Sequence, residues 1–282
     1  MSCNVDSGKL LKLGEFYYNY FIRPFKKIKG RTPTPSGHQS RTSFNTLKDM
    51  ISTMLVQFPT DHREAKKSAL VRGGFRCMVS GAYDKTSMQQ NDDLRARAKD
   101  FDRAGVRIGV VGNIQCAHIL SELTNQDIFS DDSKRWYAAP AWVVLDRFGY
   151  GSVLQELNGS GVHHLENILT LLSEVRDRFD GLELWFEGTS AKHQYNIEAV
   201  DPEEVFEFSR LPRQVKIETK HQNLALPSPT YLKLHAACAK VAHLSGAGEY
   251  IEKLQQDFEL TDVLASDGSS TRLLHEALLS TC

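Results

Sequence analysis

The element that most constrains the fold is the run VRIGVVGNIQCAHIL at residues 106–120. Its β-branched residues favour extended strands, and its two glycines divide the run into short pieces. Segments with helical spacing lie on both sides of it, and short strands need such helices to cover their apolar faces. The sequence therefore predicts an α+β fold.

Helical patterns occupy the first and last parts of the chain. Residues 44–58 place apolar side chains at helical spacing, and Asp61 is a candidate N-cap for a second helix that ends at Gly73-Gly74. Pro229 stands at the start of a further helix over YLKLHAACAKVAHLSG. We expect three parts: an N-terminal helical, basic segment (1–60), a central domain (61–200) and a helical C-terminal region packed on it (201–282).

Further strands are predicted in the central domain. FRCMVSG (75–81) reads as a short strand, and LELWFEG (182–188) and HQYNIEAV (193–200) resemble the two strands of a hairpin. Between FRCMVSG and LELWFEG, the segment HHLENILTLLSEVRDRFDG predicts a turn followed by a short helix.

Composition and the N-terminal sequence argue against a membrane-spanning protein and against a secreted one. No stretch approaches the roughly 18 uncharged apolar residues of a membrane span, so no membrane association is expected. The first residues lack a cationic head followed by an apolar run, which argues against secretion. The five cysteines are scattered and never form C-x-x-C, so neither a disulfide framework nor a four-cysteine zinc site is indicated. We expect an intracellular protein, nuclear or cytoplasmic.

The charge is unevenly distributed, although the formal net charge is only -1. Between Arg23 and Arg76 there are 12 lysines and arginines against 3 aspartates and glutamates, a net of +9. Such a segment is either a solvated helix surface or a surface that faces phosphates, and the charge pattern leaves both open. The candidates for contact with a phosphate backbone are Arg63, Lys66, Lys67, Arg72 and Arg76.

Short motifs follow one another through the central domain: RCMVSG (76–81), CAHI (116–119), NILTL (167–171) and a helix ending RFD (178–180). This order resembles the HNH nucleases of the ββα-metal superfamily. It is most similar to the HNH domains of fungal proteins of unknown role, and the similarity continues through LELWFE and LPSPTYLKLHAACAKVAHLSGA. The resemblance implies an HNH module with a long insertion between His118 and Asn167, an N-terminal helical segment and a helical C-terminal cap.

The resemblance also implies a chemistry, that of an endonuclease hydrolysing phosphodiester bonds with a divalent metal. His118 falls at the position of the general base, which removes a proton from the attacking water. Asn167 falls at the position of the residue that organises the loop. Mg²⁺, Mn²⁺ or Zn²⁺ would stabilise the charge that develops on the phosphate. The expected partner is a nucleic acid, with DNA favoured.

The sequence departs from the HNH pattern at two metal-holding positions. The last histidine would lie nine residues after Asn167, where this chain has Arg176, and Ala117 precedes the base histidine. Because a guanidinium has no lone pair for a metal, Arg176 is instead a candidate for direct contact with phosphate. His163 and Glu174 are candidates to replace the missing ligands. The chain is therefore either an HNH endonuclease, active or weakened, or a catalytically inactive HNH-fold module that binds nucleic acid or protein.

The remaining histidines and cysteines are better explained by packing. His235 and His243 lie eight apart on a predicted helix, whereas metal-binding pairs on a helix prefer a spacing of about four. Cys77 and Cys116 could face each other on neighbouring strands but lack further ligands at close spacing, which favours core positions. The spacing of the aromatic residues at 16–21 favours a helix packed on the domain over the alternative, a platform on which bases stack.

Overall fold

The computed structural model describes residues 46–56, 58–103, 111–120, 149–219, 221 and 223–246, with isolated positions at 12–22 and at 145 and 146. Helices and short strands alternate along these ranges, so the predicted α+β class is confirmed. Apart from those isolated positions, the predictions for residues 1–45, including the aromatic residues at 16–21, lie outside the described residues. So does the predicted helical structure beyond residue 246.

Two helices precede the central strands. Helix α1 (Leu47–Met54) begins after Thr46, whose side chain caps it, and it is shorter than the predicted 44–58. Helix α2 (His62–Arg72) begins after Asp61, which caps it as predicted, and ends at Gly73. Its buried residues pack on the central strands, while its first residues lie at the surface.

The predicted strand FRCMVSG is wrong, because the chain turns back within this motif. The Cys77 N–H donates to the Ala82 carbonyl at 2.8 Å, and the Gly81 N–H donates to the Cys77 carbonyl at 3.0 Å. Gly81 has a φ of 73°, a conformation that glycine adopts without steric cost. Arg76 and Tyr83 close this turn as an isolated antiparallel bridge.

A small parallel pair connects this turn to the central strands. Strand β1 (Tyr83–Asp84) pairs with β2 (Val111–Gly112), and helices α3 (Lys85–Gln90) and α4 (Asp92–Arg103) lie between them in the chain. The Asp84 carboxylate accepts hydrogen bonds from the Ser87 N–H at 2.7 Å and from the Ile114 N–H at 3.3 Å. One buried carboxylate therefore caps α3 and also holds Ile114, where the strand that follows β2 begins.

A strand–strand–helix unit lies at the centre of the molecule. Strand β3 (Ile114–His118) pairs antiparallel with β4 (Ile168–Leu172), and helix α6 (Ser173–Asp180) follows β4 directly. The predicted short helix is confirmed, whereas the apolar residues before it form a strand. Nearly every residue of β3 and β4 is buried, so both faces of this ribbon are covered, with α2 and α6 packed against it.

The long connection between β3 and β4 is described from Gly149 onward. It contains helix α5 (Gly151–Glu156) and two 3₁₀ turns, Gly159–His163 and Leu165–Asn167. The second turn leads into β4, so the predicted turn before the short helix is present. These turns bring the end of the connection back to the end of β3.

The second sheet has three antiparallel strands, β5 (Leu184–Gly188), β6 (Gln194–Ala199) and β7 (Gln214–Lys216). The predicted hairpin of β5 and β6 is confirmed. Strand β7 belongs to the region that was expected to be helical, and it extends the sheet across the expected boundary at residue 200. A π-helical turn, Glu204–Phe208, lies between β6 and β7.

Helix α7 (Pro229–Leu244) packs on β5 and begins at Pro229, as predicted. His235 is buried and stacks on Phe179 with 3.8 Å between ring centroids, and its Nε2 lies 3.1 Å from the Phe179 carbonyl. His243 Nε2 lies 2.9 Å from the Leu182 carbonyl. Both histidines therefore hold α7 against the end of α6, which confirms the packing role expected from their spacing.

None of the described helices combines the length and the apolar character that a transmembrane helix requires.

Candidate functional site: a histidine cluster at the end of a strand

Two histidines contact each other at the end of β3. His118 is the last residue of that strand and is only 5% exposed. Its Nε2 lies 3.2 Å from Nδ1 of His163, a half-buried residue at the end of the first 3₁₀ turn. At this distance one imidazole N–H donates and the other ring nitrogen accepts. Residues 45 positions apart in sequence therefore form one hydrogen-bonded pair.

A third imidazole completes the group, which we call the histidine cluster (His62, His118 and His163). His62 is the exposed first residue of α2, and its ring meets His118 edge to face with 5.3 Å between centroids. The His118 and His163 rings are also 5.3 Å apart, at 55°. His62 was missed in the sequence analysis. Its position directly after the predicted cap Asp61, at the head of a basic helix, was the available signal.

Asn167 fixes the backbone on both sides of the His118–His163 pair. Its fully buried carboxamide donates to the Leu120 and Val162 carbonyls, each at 2.9 Å, and accepts from the Leu120 N–H at 2.9 Å. Leu120 lies two residues after His118, and Val162 directly precedes His163. One side chain therefore holds together the segments that carry both histidines.

The start of α2 is held by the carboxylate of Asp61. This group accepts a hydrogen bond from the Glu64 N–H at 2.8 Å, and Glu64 accepts in turn from the Thr60 N–H at 2.9 Å. The pKa of Asp61 is lowered mainly by the hydrogen bond from Glu64, with smaller contributions from the backbone and charge of Arg63 and from the charge of His163. These two hydrogen bonds fix the first turn of the helix and hence the backbone of His62.

A basic surface lies beside the histidine cluster. Arg63 is exposed, and Lys66 and Lys67 are half-buried, one helical turn further along α2. The spacing of three and four residues places these side chains on one side of the helix. We call these three residues the basic face of α2. They follow His62 in the same helix.

Arg72 does not belong to that surface, and its predicted role in phosphate binding is wrong. It is 1% exposed, and its guanidinium donates to the carbonyls of Leu165 and Ile168 at 2.6 Å each and of Ala225 at 3.1 Å. Burial lowers the pKa of Arg72 to about 10, so the group stays charged at neutral pH. A cation enclosed in this way ties three segments of the fold together and cannot contact a bound polymer.

The other two predicted phosphate contacts are engaged within the protein. Arg76 donates to the Tyr83 hydroxyl, and its guanidinium lies 4.2 Å from the centre of that ring. Arg176 forms an ion pair with Asp180 at 3.1 Å and donates to the Gln115 side chain. The side chains of Arg176 and Asp180 are 23% and 13% exposed. Arg176 is thereby held against β3 as part of the α6–β3 contact.

Among the described residues, the metal ligands that the resemblance implies are not rebuilt. Ala117 is fully buried and offers no donor atom, and Arg176 is cationic. Glu174 is exposed in the first turn of α6, and His163 is hydrogen-bonded to His118. Within the described ranges, no three or more His, Cys, Asp or Glu side chains are arranged to hold a metal ion. The described residues at these positions therefore do not fit the divalent ion of the family pattern.

The described cysteines have no part in this site. Cys77, Cys116 and Cys238 are buried thiols that form no disulfide bond, which confirms the core positions expected for the first two. Cys77 packs beside β4, where its Sγ accepts a weak hydrogen bond from the Leu172 N–H at 3.4 Å. Burial raises the pKa of the Cys238 thiol, so the unreactive thiol is favoured over the thiolate.

Comparisons with known proteins identify no relative. No family model matches the sequence, and no curated protein and no solved structure matches it.

Proposed function

We propose that the protein is an HNH-type endonuclease that hydrolyses phosphodiester bonds in nucleic acids, with activity weakened by Arg176 and Ala117. The observation that carries this proposal is the 3.2 Å contact between His118 and His163 at the end of a strand–strand–helix unit. Asn167 supports it, because its carboxamide fixes both histidine-bearing segments. A fixed imidazole pair is suited to receive a proton from water.

The proton balance of the reaction assigns a task to this pair. As water attacks phosphorus, a new P–O bond forms, the bond to the leaving oxygen breaks, and the water proton must be accepted. Imidazole is the side chain whose ordinary pKa lies near neutral pH, so it can accept that proton under physiological conditions. In the proposal the acceptor is His118 together with its hydrogen-bonded partner His163.

The basic face of α2 supplies the substrate contact in this proposal. Arg63, Lys66 and Lys67 follow His62, whose ring touches His118, so a phosphate backbone lying along α2 would pass the histidine pair. Lysine and arginine contacts of this type give affinity without sequence preference and release counterions from the polymer. The proposed substrate is DNA.

The test is a plasmid-nicking assay with the full chain. We expect slow conversion of supercoiled to nicked DNA, and a rate lower by about 100-fold or more for His118→Ala. His164→Ala is the matched control, since His164 is the exposed neighbour of His163 and the substitution should leave the rate unchanged. The assay includes Mg²⁺, Mn²⁺, Zn²⁺ and EDTA, because the resemblance implies an ion for which the described residues lack a ligand set.

A second candidate function, an inactive HNH-fold module that binds nucleic acid, is favoured by the internal ion pair of Arg176 with Asp180. Under it, the wild type and His118→Ala bind DNA equally and neither nicks. The salt dependence of binding then becomes the informative measurement. Replacing Arg63, Lys66 and Lys67 by alanine should reduce the slope of log K against log salt by about one per residue. Lys85→Ala, an exposed lysine on α3, is the control.

A further inference from the structure

The two histidines of the pair differ in their access to water. His118 is 5% exposed, its Nε2 faces His163, and the ring of His62 lies against its own ring. His163 is half-buried and lies on a surface turn. A water molecule that approaches the pair therefore meets His163 before it can reach His118.

We propose that His163 is the imidazole that takes the proton from the attacking water, while His118 positions it from behind. This inference rests on the proposed function and reverses the roles that the sequence pattern implies for the two residues. His163 becomes the catalytic residue in contact with the reacting water. His118 becomes a positioning residue that acts through its hydrogen bond to Nδ1 of His163.

The transfer of the proton follows from the chemistry of imidazole. For His163 to accept a proton on Nε2, its Nδ1 must already carry one, and that N–H donates to Nε2 of His118. A lone pair of the water oxygen forms the bond to phosphorus while the bond between phosphorus and the leaving oxygen breaks. The water O–H bond breaks with its electrons left on oxygen, and the proton passes to Nε2 of His163. The leaving oxygen departs with the electron pair of its broken bond and takes a proton from solvent. The imidazolium then donates a charge-assisted hydrogen bond to His118, which is stronger than the bond between two neutral rings.

The surroundings of His163 include groups of both signs. Asp61 lies within electrostatic range of His163. His118 and His62 are the other titratable groups of the cluster, and Arg63 follows His62 on α2. The turn that carries His163 is anchored by the bond from Asn167 to the Val162 carbonyl, so its imidazole keeps a fixed distance from His118.

The first part of the test measures accessibility without reference to activity. Diethyl pyrocarbonate acylates accessible, unprotonated imidazole nitrogens, and tandem mass spectrometry locates the product. In the wild-type chain we expect His163 to be modified several times faster than His118, with exposed His164 as the positive control. In His163→Ala the modification of His118 should accelerate. Modification of His118 at a rate equal to or above that of His163 would overturn the inference.

The second part compares variants in the nicking assay. If His118 acts through His163, His118→Gln should retain more activity than His118→Ala, since the glutamine amide oxygen can still accept from Nδ1 of His163. Added imidazole should restore part of the activity of His163→Ala and none of that of His118→Ala. The opposite rescue pattern, or equal loss in both His118 variants, contradicts the inference while leaving the nuclease proposal intact. A wild-type chain that does not nick overturns the nuclease proposal and the catalytic role of His163 together, whatever the modification rates.

Discussion

Asn167 bonds to both backbone groups of Leu120, accepting from its N–H and donating to its carbonyl at 2.9 Å each. The same carboxamide also donates a hydrogen bond to the Val162 carbonyl, so it links the start of the β3–β4 connection, at Leu120, to the end of that connection, at Val162. The positions of His118 and His163 relative to each other therefore depend on a side chain that touches neither ring in these contacts. This dependence makes Asn167 the first residue to test.

Replacing Asn167 by alanine should lower the free energy of unfolding by about 2–4 kcal/mol, because three buried backbone groups lose their partner. Urea unfolding followed by circular dichroism measures this change. Asn158→Ala is the matched control, since Asn158 is exposed and caps its turn without a side-chain hydrogen bond. If both variants unfold at the same urea concentration, the stabilising role assigned to the hydrogen bonds of Asn167 is wrong.

Arg72→Met should reduce stability without changing DNA binding. The substitution leaves the carbonyls of Leu165, Ile168 and Ala225 without their donor, at a cost of about 3 kcal/mol in the free energy of unfolding. Because the guanidinium is buried, the salt dependence of DNA affinity should match that of the wild type. Lys85→Met serves as the surface control for stability. If the folded Arg72→Met variant had a smaller slope of log K against log salt than the wild type, Arg72 would belong to the phosphate-binding surface after all.

The lowered pKa of Asp61 gives a prediction for acid conditions. Because its folded pKa lies below its unfolded value of 3.8, the ionised carboxylate adds stability above that pH, which is lost as the pH falls through the folded pKa. Asp61→Asn keeps a capping side chain but cannot ionise. The variant should therefore be less stable than the wild type at neutral pH and equally stable well below pH 3.8. Urea midpoints at both pH values test this, and a difference that does not change with pH would refute the assignment.

Arg176→His tests whether the missing ligand position can be restored. The substitution removes the ion pair with Asp180 and places an imidazole four residues before that carboxylate, on the same side of α6. We expect the variant to bind Zn²⁺ or Mn²⁺ more tightly than the wild type in calorimetry and to gain nicking that EDTA removes. Arg178→His, which breaks an ion pair with Glu204 elsewhere on the helix, is the control. Equal metal affinity in all three proteins would count against a latent metal site on α6.

Local patterns in the sequence predicted local structure well. The Asp61 cap, the start of α7 at Pro229 and the β5–β6 hairpin each depend on neighbouring residues, and all three are present. The strand predicted at FRCMVSG failed because hydrogen bonds of Cys77 to Ala82 and Gly81 close a turn that apolar composition does not reveal.

Long-range contacts account for what the sequence analysis missed. The sequence does not distinguish Arg72 from the exposed basic residues of the same helix, because the carbonyls that enclose its guanidinium lie 93, 96 and 153 residues away. His62 and His163 come to His118 from opposite directions along the chain, so no spacing rule pairs them. The resemblance predicted roles for His118 and Asn167, but the burial of each side chain is a property of the folded chain.

The most direct test of the central claim is the initial rate of plasmid nicking by the wild type, His118→Ala and His164→Ala, purified side by side and shown to be folded. The account predicts nicking by the wild type, an unchanged rate for His164→Ala and a rate reduced by about 100-fold or more for His118→Ala. Nicking that survives in His118→Ala at the wild-type rate would contradict it and assign the activity to a contaminant or to another site.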